Sequence, residues 1–274
     1  MKLAIVALLL TSFAAGCARG QAKEAPAKPL IVTGSSTVAP VIGEIGKKYE
    51  SLHPGARIDV QAGGSSRGIA DARSGLASIG MISRRLNADE KDLQVYPLAK
   101  DGICVIVHAD NPVSTLSDEN VVAIYTGKVR NWSALGGADA PITVVNKAEG
   151  RSTLELFLHY YKLKNDQVRA DVVIGDNEQG IKTVAGNPNA IGYVSIGTAE
   201  YDSKRGVKIK LLPMKGVSPS LGTVADGTFP LSRELNLVVK GKPVGLAAEF
   251  IAFATSEQSN DIIRAQSFVP IARK

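Results

Sequence analysis

From residue 30 onward the chain alternates short apolar runs of strand length with stretches in which apolar positions recur every three or four residues. The first pattern fits a buried strand and the second an amphipathic helix. Strands are predicted at 30–33, 57–61, 78–82, within the β-prone run 96–108, and at 142–146, 190–196, 207–213 and 234–240. Helices are predicted at 38–49, 69–73, 117–125, 154–161, 176–185, 244–254 and 258–265. Ser117-Asp118-Glu119-Asn120 is a helix-start signal, and Gly127 and Gly186-Asn187-Pro188 are stops. Strands alternating with helices predict an α/β fold with a mainly parallel sheet. No internal repeat is visible.

The N-terminus breaks the pattern. Lys2 precedes an apolar stretch, residues 3–10, too short to span a bilayer. Phe13-Ala14-Ala15-Gly16-Cys17 follows and resembles a bacterial lipoprotein cleavage site. That resemblance implies a signal peptide over residues 1–16 and a lipid on Cys17; the plainer alternative is a secretory signal with an incidental cysteine. Residues 17–28, rich in Ala, Lys, Gln and Pro, read as a flexible tether. Cys104 is then the remaining thiol, in the apolar run Ile103-Cys104-Val105-Ile106-Val107, and is expected to be buried and inert. The remaining length suits two modest domains or one large one.

The net charge of +6 is spread along the chain, densest at Lys204-Arg205, Lys208, Lys210 and Lys215. Aromatic residues make up 5%, and no nucleic-acid-binding motif is present, so a nucleic-acid partner is not expected. The positive bias favours the arrival of small anions. Three scattered histidines and no paired-cysteine spacing give no metal site, and no cofactor is expected.

Hydroxyl and glycine residues cluster at three predicted helix starts. They are Thr33-Gly34-Ser35-Ser36-Thr37, Gly63-Gly64-Ser65-Ser66-Arg67-Gly68 and Glu149-Gly150-Arg151-Ser152-Thr153. A helix N-terminus carries unpaired N–H groups and partial positive charge, and so attracts an anion. Taken singly, each cluster reads equally well as plain N-capping. Each also lies beyond the C-terminal end of a predicted strand, where α/β folds bind ligands. The first two clusters lie in the N-terminal third and the third well downstream, which suggests two lobes with an anion between them.

Beyond these clusters, the chain resembles the phosphate-binding proteins of bacterial ABC-type phosphate importers. The likeness is carried by Gly34-Ser35-Ser36-Thr37-Val38-Ala39-Pro40, Gly64-Ser65-Ser66-Arg67-Gly68-Ile69 and Ile79-Gly80-Met81-Ile82-Ser83-Arg84-Arg85-Leu86. Ile124-Tyr125-Thr126-Gly127-Lys128-Val129 with Asn131-Trp132, and Asn189-Ala190-Ile191-Gly192-Tyr193-Val194, complete it. It implies a two-lobed type II periplasmic binding protein fold with the ligand in the cleft. Lobe one would be 29–104 plus 231–274 and lobe two 105–230, hinged near Val105 and Leu231. It further implies a monomeric, non-enzymatic receptor, lipid-anchored on the extracytoplasmic face, with inorganic phosphate and an ABC permease as partners.

Position by position, the resemblance assigns ligand contacts to Ser36, Thr37, Ser65, Ser152 and Thr153. Arg151 falls where many members have Ser, and Lys147 where many have an anion-pairing Arg, so Arg151 is expected to supply charge. Glu149 is expected to hold Lys147 or Arg151. Ser83 replaces an Asp that in many members accepts the phosphate proton and repels sulfate; serine has no charge with which to do so. Glu149 is an alternative acceptor. Arg84 and Arg85 are expected at the surface, the alternative being that one of them faces the cleft. Trp132 and Tyr160-Tyr161 are expected in the core, and His108 at a strand end near the hinge.

Two rival readings remain. Gly64-Ser65-Ser66-Arg67-Gly68 fits a nucleophile elbow with Ser66 as nucleophile, but His108 and His159 are poorly placed to serve it. The other rival is the same fold binding another oxyanion, sulfate or molybdate, or acting as a phosphate sensor.

Overall fold

The computed structural model describes residues 28–271. Cys17, the signal peptide and all but the end of the tether lie outside the described residues. The first unit runs β1 (Leu30–Gly34), α1 (Ala39–Leu52), β2 (Ile58–Ala62), α2 (Ser65–Ser74), β3 (Ile79–Ile82) and the long β4 (Leu93–His108). The second runs α3 (Asp118–Tyr125), β5 (Thr143–Lys147), α4 (Ser152–Tyr160), β6 (Val172–Ile174) and α5 (Asn177–Ala185). It continues through β7 (Ala190–Ser195), α6 (Ile196–Lys204), β8 (Ile209–Leu211) and α7 (Leu221–Ala225). The chain returns through β9 (Ser232–Lys240) and closes with α8 (Gly245–Ala254), α9 (Asn260–Ala265) and β10 (Val269–Pro270).

The strand order is β2-β1-β3-β9-β4-β7-β5-β6, with β8 and β10 paired to β4 off this path. At either end the ladders are parallel: β1 with β2 and β3, and β5 with β6 and β7. The centre is antiparallel: β4 pairs antiparallel with β9 and β7, and β9 with β3. The mainly parallel sheet expected from the alternating pattern is therefore corrected to a mixed one. The reason is topological. β4 carries the chain out to the second unit and β9 brings it back, so the two run in opposite senses.

β4 belongs to both halves. From Leu93 to Gly102 it faces β9, and from Ile103 it faces β7 and then β8. Two apolar cores lie on either side of this crossing. One gathers Val32, Ile42, Ile79, Leu98, Leu237 and Phe250. The other gathers Ile106, Tyr125, Trp132, Val144, Phe157 and Tyr193. Helix α1 shows how the sequence builds the first: Val41, Ile42, Ile45 and Tyr49 fall on one face at helical spacing and are buried. In the second, the rings of Phe157 and Tyr193 stack at 3.8 Å. Trp132 and Tyr161 are buried in that core, Tyr160 packs partly buried against it, and Cys104 is fully buried on β4 opposite Val194 of β7. The result is two lobes joined by the β4 and β9 crossings. No helix among the described residues is long and apolar enough to cross a membrane.

Candidate functional site

β1, β3 and β5 end on the same side of the molecule as the starts of α1, α2 and α4. How those helices begin separates capping from ligand binding. Elsewhere the chain caps its helices in the ordinary way. Ser117, Asp176, Ser195 and Ser220 each accept a hydrogen bond from the backbone N–H three residues on, at α3, α5, α6 and α7. The starts of α1, α2 and α4, where the three hydroxyl clusters lie, have no side-chain cap. Their hydroxyls turn toward one another instead.

The Ser35 hydroxyl donates to Ser83 Oγ at 3.0 Å and accepts from the Thr37 N–H. Ser65 Oγ accepts from the Ser83 N–H at 3.2 Å, which ties the start of α2 to the end of β3. Arg233, near the start of β9, reaches into the middle of this group. Its Nη1 donates to Thr153 Oγ1 at 2.9 Å and to Ser83 Oγ at 3.4 Å, and its Nη2 donates to Thr37 Oγ1 at 3.3 Å. Asn177, at the first turn of α5, donates to Thr37 Oγ1 and accepts from Lys147 Nζ at 3.0 Å. Ser35, Thr37, Ser65, Ser83, Lys147, Ser152, Thr153, Asn177 and Arg233 are all buried. The three clusters thus converge, and they do so between the lobes.

Local geometry makes this approach possible. Gly64 has φ +100°, and a Cβ there would lie 2.6 Å from the Gly150 carbonyl across the cleft. The Ser66 N–H donates to that carbonyl at 3.3 Å. Only glycine lets the second and third clusters come this close without strain.

Two cations face the hydroxyls. Arg233 is fixed by Asp101, its register partner on β4: Nε and Nη2 donate to Oδ2 at 3.0 and 2.7 Å, while Oδ1 accepts from Ser195 Oγ and the Gly197 N–H. Both carboxylate oxygens are therefore engaged. Lys147 ends β5. Burial, and then repulsion from Arg233, pull its ammonium down to about 7 from the ordinary lysine value. An anion placed here would reverse that. Positive charge, hydroxyl protons and helix N–H groups gathered in one buried cluster suit a small tetrahedral oxyanion.

The other expected residues have different places. Ser36 is half-buried and, with Thr37, Asn177, Tyr201 and Phe268, lines a neighbouring cavity of about 360 Å3. Arg151 passes over Gly64 toward Gly175 and makes no hydrogen bond to the hydroxyl group among the described residues. Glu149 is exposed and accepts from Asn165, so it holds neither Lys147 nor Arg151. Arg84 corrects the surface expectation and takes the alternative place, facing the cleft. It is buried, forms a two-pronged pair with Glu90 at 2.7 and 2.8 Å, and its Nε lies 2.7 Å from Glu155 of the other lobe. Arg85 is exposed as expected, beside Glu234. The Ser66 hydroxyl donates to Glu155, not to a histidine, and His108 Nδ1 accepts from the Asp110 N–H at the end of β4. Arg233, Asp101 and Asn177 escaped sequence reasoning, and Ser35 belongs to the first cluster but is assigned no ligand contact there. Arg233 did leave a signal: it is in phase with Leu235 and Leu237, on the buried face of its strand.

This fold and cleft define a two-lobed solute-binding protein of the type II periplasmic class. A sequence profile described as "PBP superfamily domain" matches residues 18–258. The phosphate-binding protein PstS of Bacillus subtilis is 31% identical over 248 residues, covering 88% of this chain and 80% of its own. That of Borreliella burgdorferi is 27% identical, covering 97% of both. A solved structure from Clostridium perfringens, described as a phosphate ABC transporter substrate-binding protein with bound phosphate, superposes with a TM-score of 0.82. It is 31% identical, and the match covers 89% of this chain and 100% of that one. The chain belongs to the PBP superfamily, within the family of the phosphate-binding proteins PstS. These are solute receptors and not enzymes, which removes the hydrolase reading of Ser66.

Proposed function

We propose that the chain is an extracytoplasmic receptor that closes two lobes on inorganic phosphate and delivers it to an ABC permease. The observation that carries this is Arg233. Held by Asp101 at the crossing strands, it reaches Thr37 and Ser83 of one lobe and Thr153 of the other. An anion bound on this guanidinium touches both lobes at once, so binding and closure are one event. Ser35, Thr37, Ser65, Ser83, Ser152 and Thr153 replace the hydration shell, and Lys147 and Arg233 supply charge. Ser36 and Arg151 sit at the mouth of the pocket. Charge-assisted hydrogen bonds in a water-poor cleft are the strong class.

The lobes divide at residues 104/105 and 230/231, with bending at the β4 and β9 crossings. The receptor works as a monomer, tethered through a lipid on Cys17. Titration calorimetry with phosphate tests the reading. Thr153→Ala is expected to weaken binding by about 1–3 kcal/mol, the range for one charge-assisted bond. No heat from the wild type, or unchanged affinity in the variant, counts against it. Mass spectrometry of the membrane fraction from expressing cells tests the anchor. Cys17→Ala is expected to remove the lipid mass and release the protein.

A further inference from the structure

Two cavities flank the hydroxyl cluster, each walled by both lobes, and they differ in charge. The cavity of about 360 Å3 beside Thr37 and Asn177 is lined by the carboxylates of Asp176 and Glu178 and, among the described residues, by no cation. The other, of about 480 Å3, is lined by Arg84, Arg85, Lys100 and Arg233 against the carboxylate of Glu234. Both volumes fall within the range of small-molecule sites. The basic cavity continues the hydroxyl cluster along three elements. Arg84 follows Ser83 just beyond β3, Leu156 lies one turn after Thr153 on the same face of α4, and Arg233 itself reaches the hydroxyls of both lobes. Two groups there have donors to spare. Arg84 is 5% exposed; its Nη1 donates to the Arg85 carbonyl and to Glu90, and its Nη2 gives one of two protons to Glu90. The second Nη2 proton has no acceptor among the described residues, and a buried donor is rarely left so. Lys100 is the register partner of Glu234 across β4 and β9, but Glu234 pairs with Arg85 at 3.0 Å, so Lys100 has no ion pair among the described residues. The other cations are offset, Arg84 by Glu90 and Glu155, Arg233 by Asp101 and Arg85 by Glu234. Lys100 is the uncompensated charge of the cavity.

Resting on the reading of the cluster as a phosphate site, we propose that the basic cavity is a subsite for a second phosphoryl group, and that the receptor also takes condensed phosphates such as inorganic pyrophosphate. One phosphoryl occupies the hydroxyl cluster. The next lies across Arg233 in the cavity, where the spare Arg84 N–H and the Lys100 ammonium meet it. A single phosphate needs only the cluster, so Lys100 serves the longer ligand. The acidic cavity on the other side repels a second anionic group, which fixes the direction in which such a ligand lies.

The test is calorimetry with phosphate and with pyrophosphate in magnesium-free buffer, on wild type, Lys100→Gln and Glu178→Gln, with competition between the two anions. Pyrophosphate is expected to bind one per chain and to be displaced by phosphate. Lys100→Gln is expected to weaken pyrophosphate about fivefold, the upper span of one solvent-screened charge pair, and phosphate by less than about twofold. The loss is expected to shrink as salt is raised. Glu178→Gln, in the acidic cavity, is expected to weaken neither anion. Retained phosphate affinity shows that Lys100→Gln is folded. Pyrophosphate that fails to bind, that binds without displacing phosphate, or that Lys100→Gln weakens no more than it weakens phosphate overturns the proposal while leaving the receptor reading intact. A wild type that binds neither anion overturns both.

Discussion

Arg233 and Lys147 give the pocket its charge by different physical routes. Arg233 carries a delocalised guanidinium charge on a planar fork and is held by a buried carboxylate. Removing one partner of such a pair leaves the other buried and uncompensated. Arg233→Ala is therefore expected to destabilise the fold by about 3–5 kcal/mol as well as abolish binding. Adding Asp101→Ala removes the stranded carboxylate. The double variant is expected to regain much of the lost stability in denaturant melts but none of the affinity. Equal stability of single and double variants would show that the pair holds nothing. Lys147 behaves differently because burial and Arg233 bring its ammonium down to about 7. The unfolded chain keeps that proton to much higher pH. The ligand-free fold therefore carries the full penalty of a buried charge below about pH 7, and its stability rises with pH above that. An anion favours the charged lysine, so sulfate, which does not titrate in this range, is expected to bind with constant affinity below about pH 7. Above it, affinity falls and binding takes up a proton. Calorimetry in buffers of different ionisation heat reads that uptake directly. Lys147→Met is expected to weaken sulfate binding and to remove the proton uptake; uptake that survives the substitution excludes Lys147 as its source.

At the scale of elements, the loop before α2 decides whether the lobes can meet. Gly64→Ala puts a methyl group 2.6 Å from the Gly150 carbonyl at a backbone angle that L-residues avoid. Circular dichroism of this variant is expected to be unchanged, because α2 lies within one lobe. Phosphate affinity is expected to fall at least tenfold, because closure is blocked; unaltered affinity would mean the two loops need not touch. Gly64 and its serine neighbours were legible in the sequence because a helix start is a local event, written within five or six residues. Helix α2 was placed too late, at 69–73 in place of Ser65–Ser74, because its first turn is Ser-Ser-Arg-Gly and carries no apolar position to count. Helix α6 has no counterpart among the predicted helices: the predicted strand runs on to Ile196, which continues the apolar run, and only the Ser195 cap marks the switch. β6, at Val172–Ile174, is too short to show a period. The Asp101–Arg233 pair depends on the register of β4 against β9, strands far apart in sequence, so spacing alone does not reveal it. Its trace is two charged residues in the apolar phase of two strands.

At the scale of the whole molecule, the two cores are built around separate sets of elements and meet through β4, β9, the cleft, and the β10 segment, where Val269 packs against the second core and Phe268 lies against Gly197 of α6. The closed form therefore depends on a few cross-cleft bonds, and one of them avoids the anion altogether. Arg84 follows Ser83 at the end of β3, and Glu155 lies in the first turn of α4. Their 2.7 Å ion pair, with the Ser66 hydroxyl also on Glu155, clamps the segments that carry Ser83, Ser65 and Thr153. Glu155→Gln weakens this clamp without stranding Arg84, which keeps its paired bonds to Glu90. Glu155 is about one-third exposed, so solvent screens the pair and its worth is about 1 kcal/mol or less. That corresponds to an affinity loss of about fivefold at most. Because the clamp joins the two lobes, it resists their parting, and the loss is expected in the dissociation rate. Stopped-flow measurement is expected to show faster phosphate release, an unchanged association rate, and a gap from the wild type that narrows as salt is raised. A slower association rate with unchanged release would place Glu155 on the entry path of the ligand and not in the clamp.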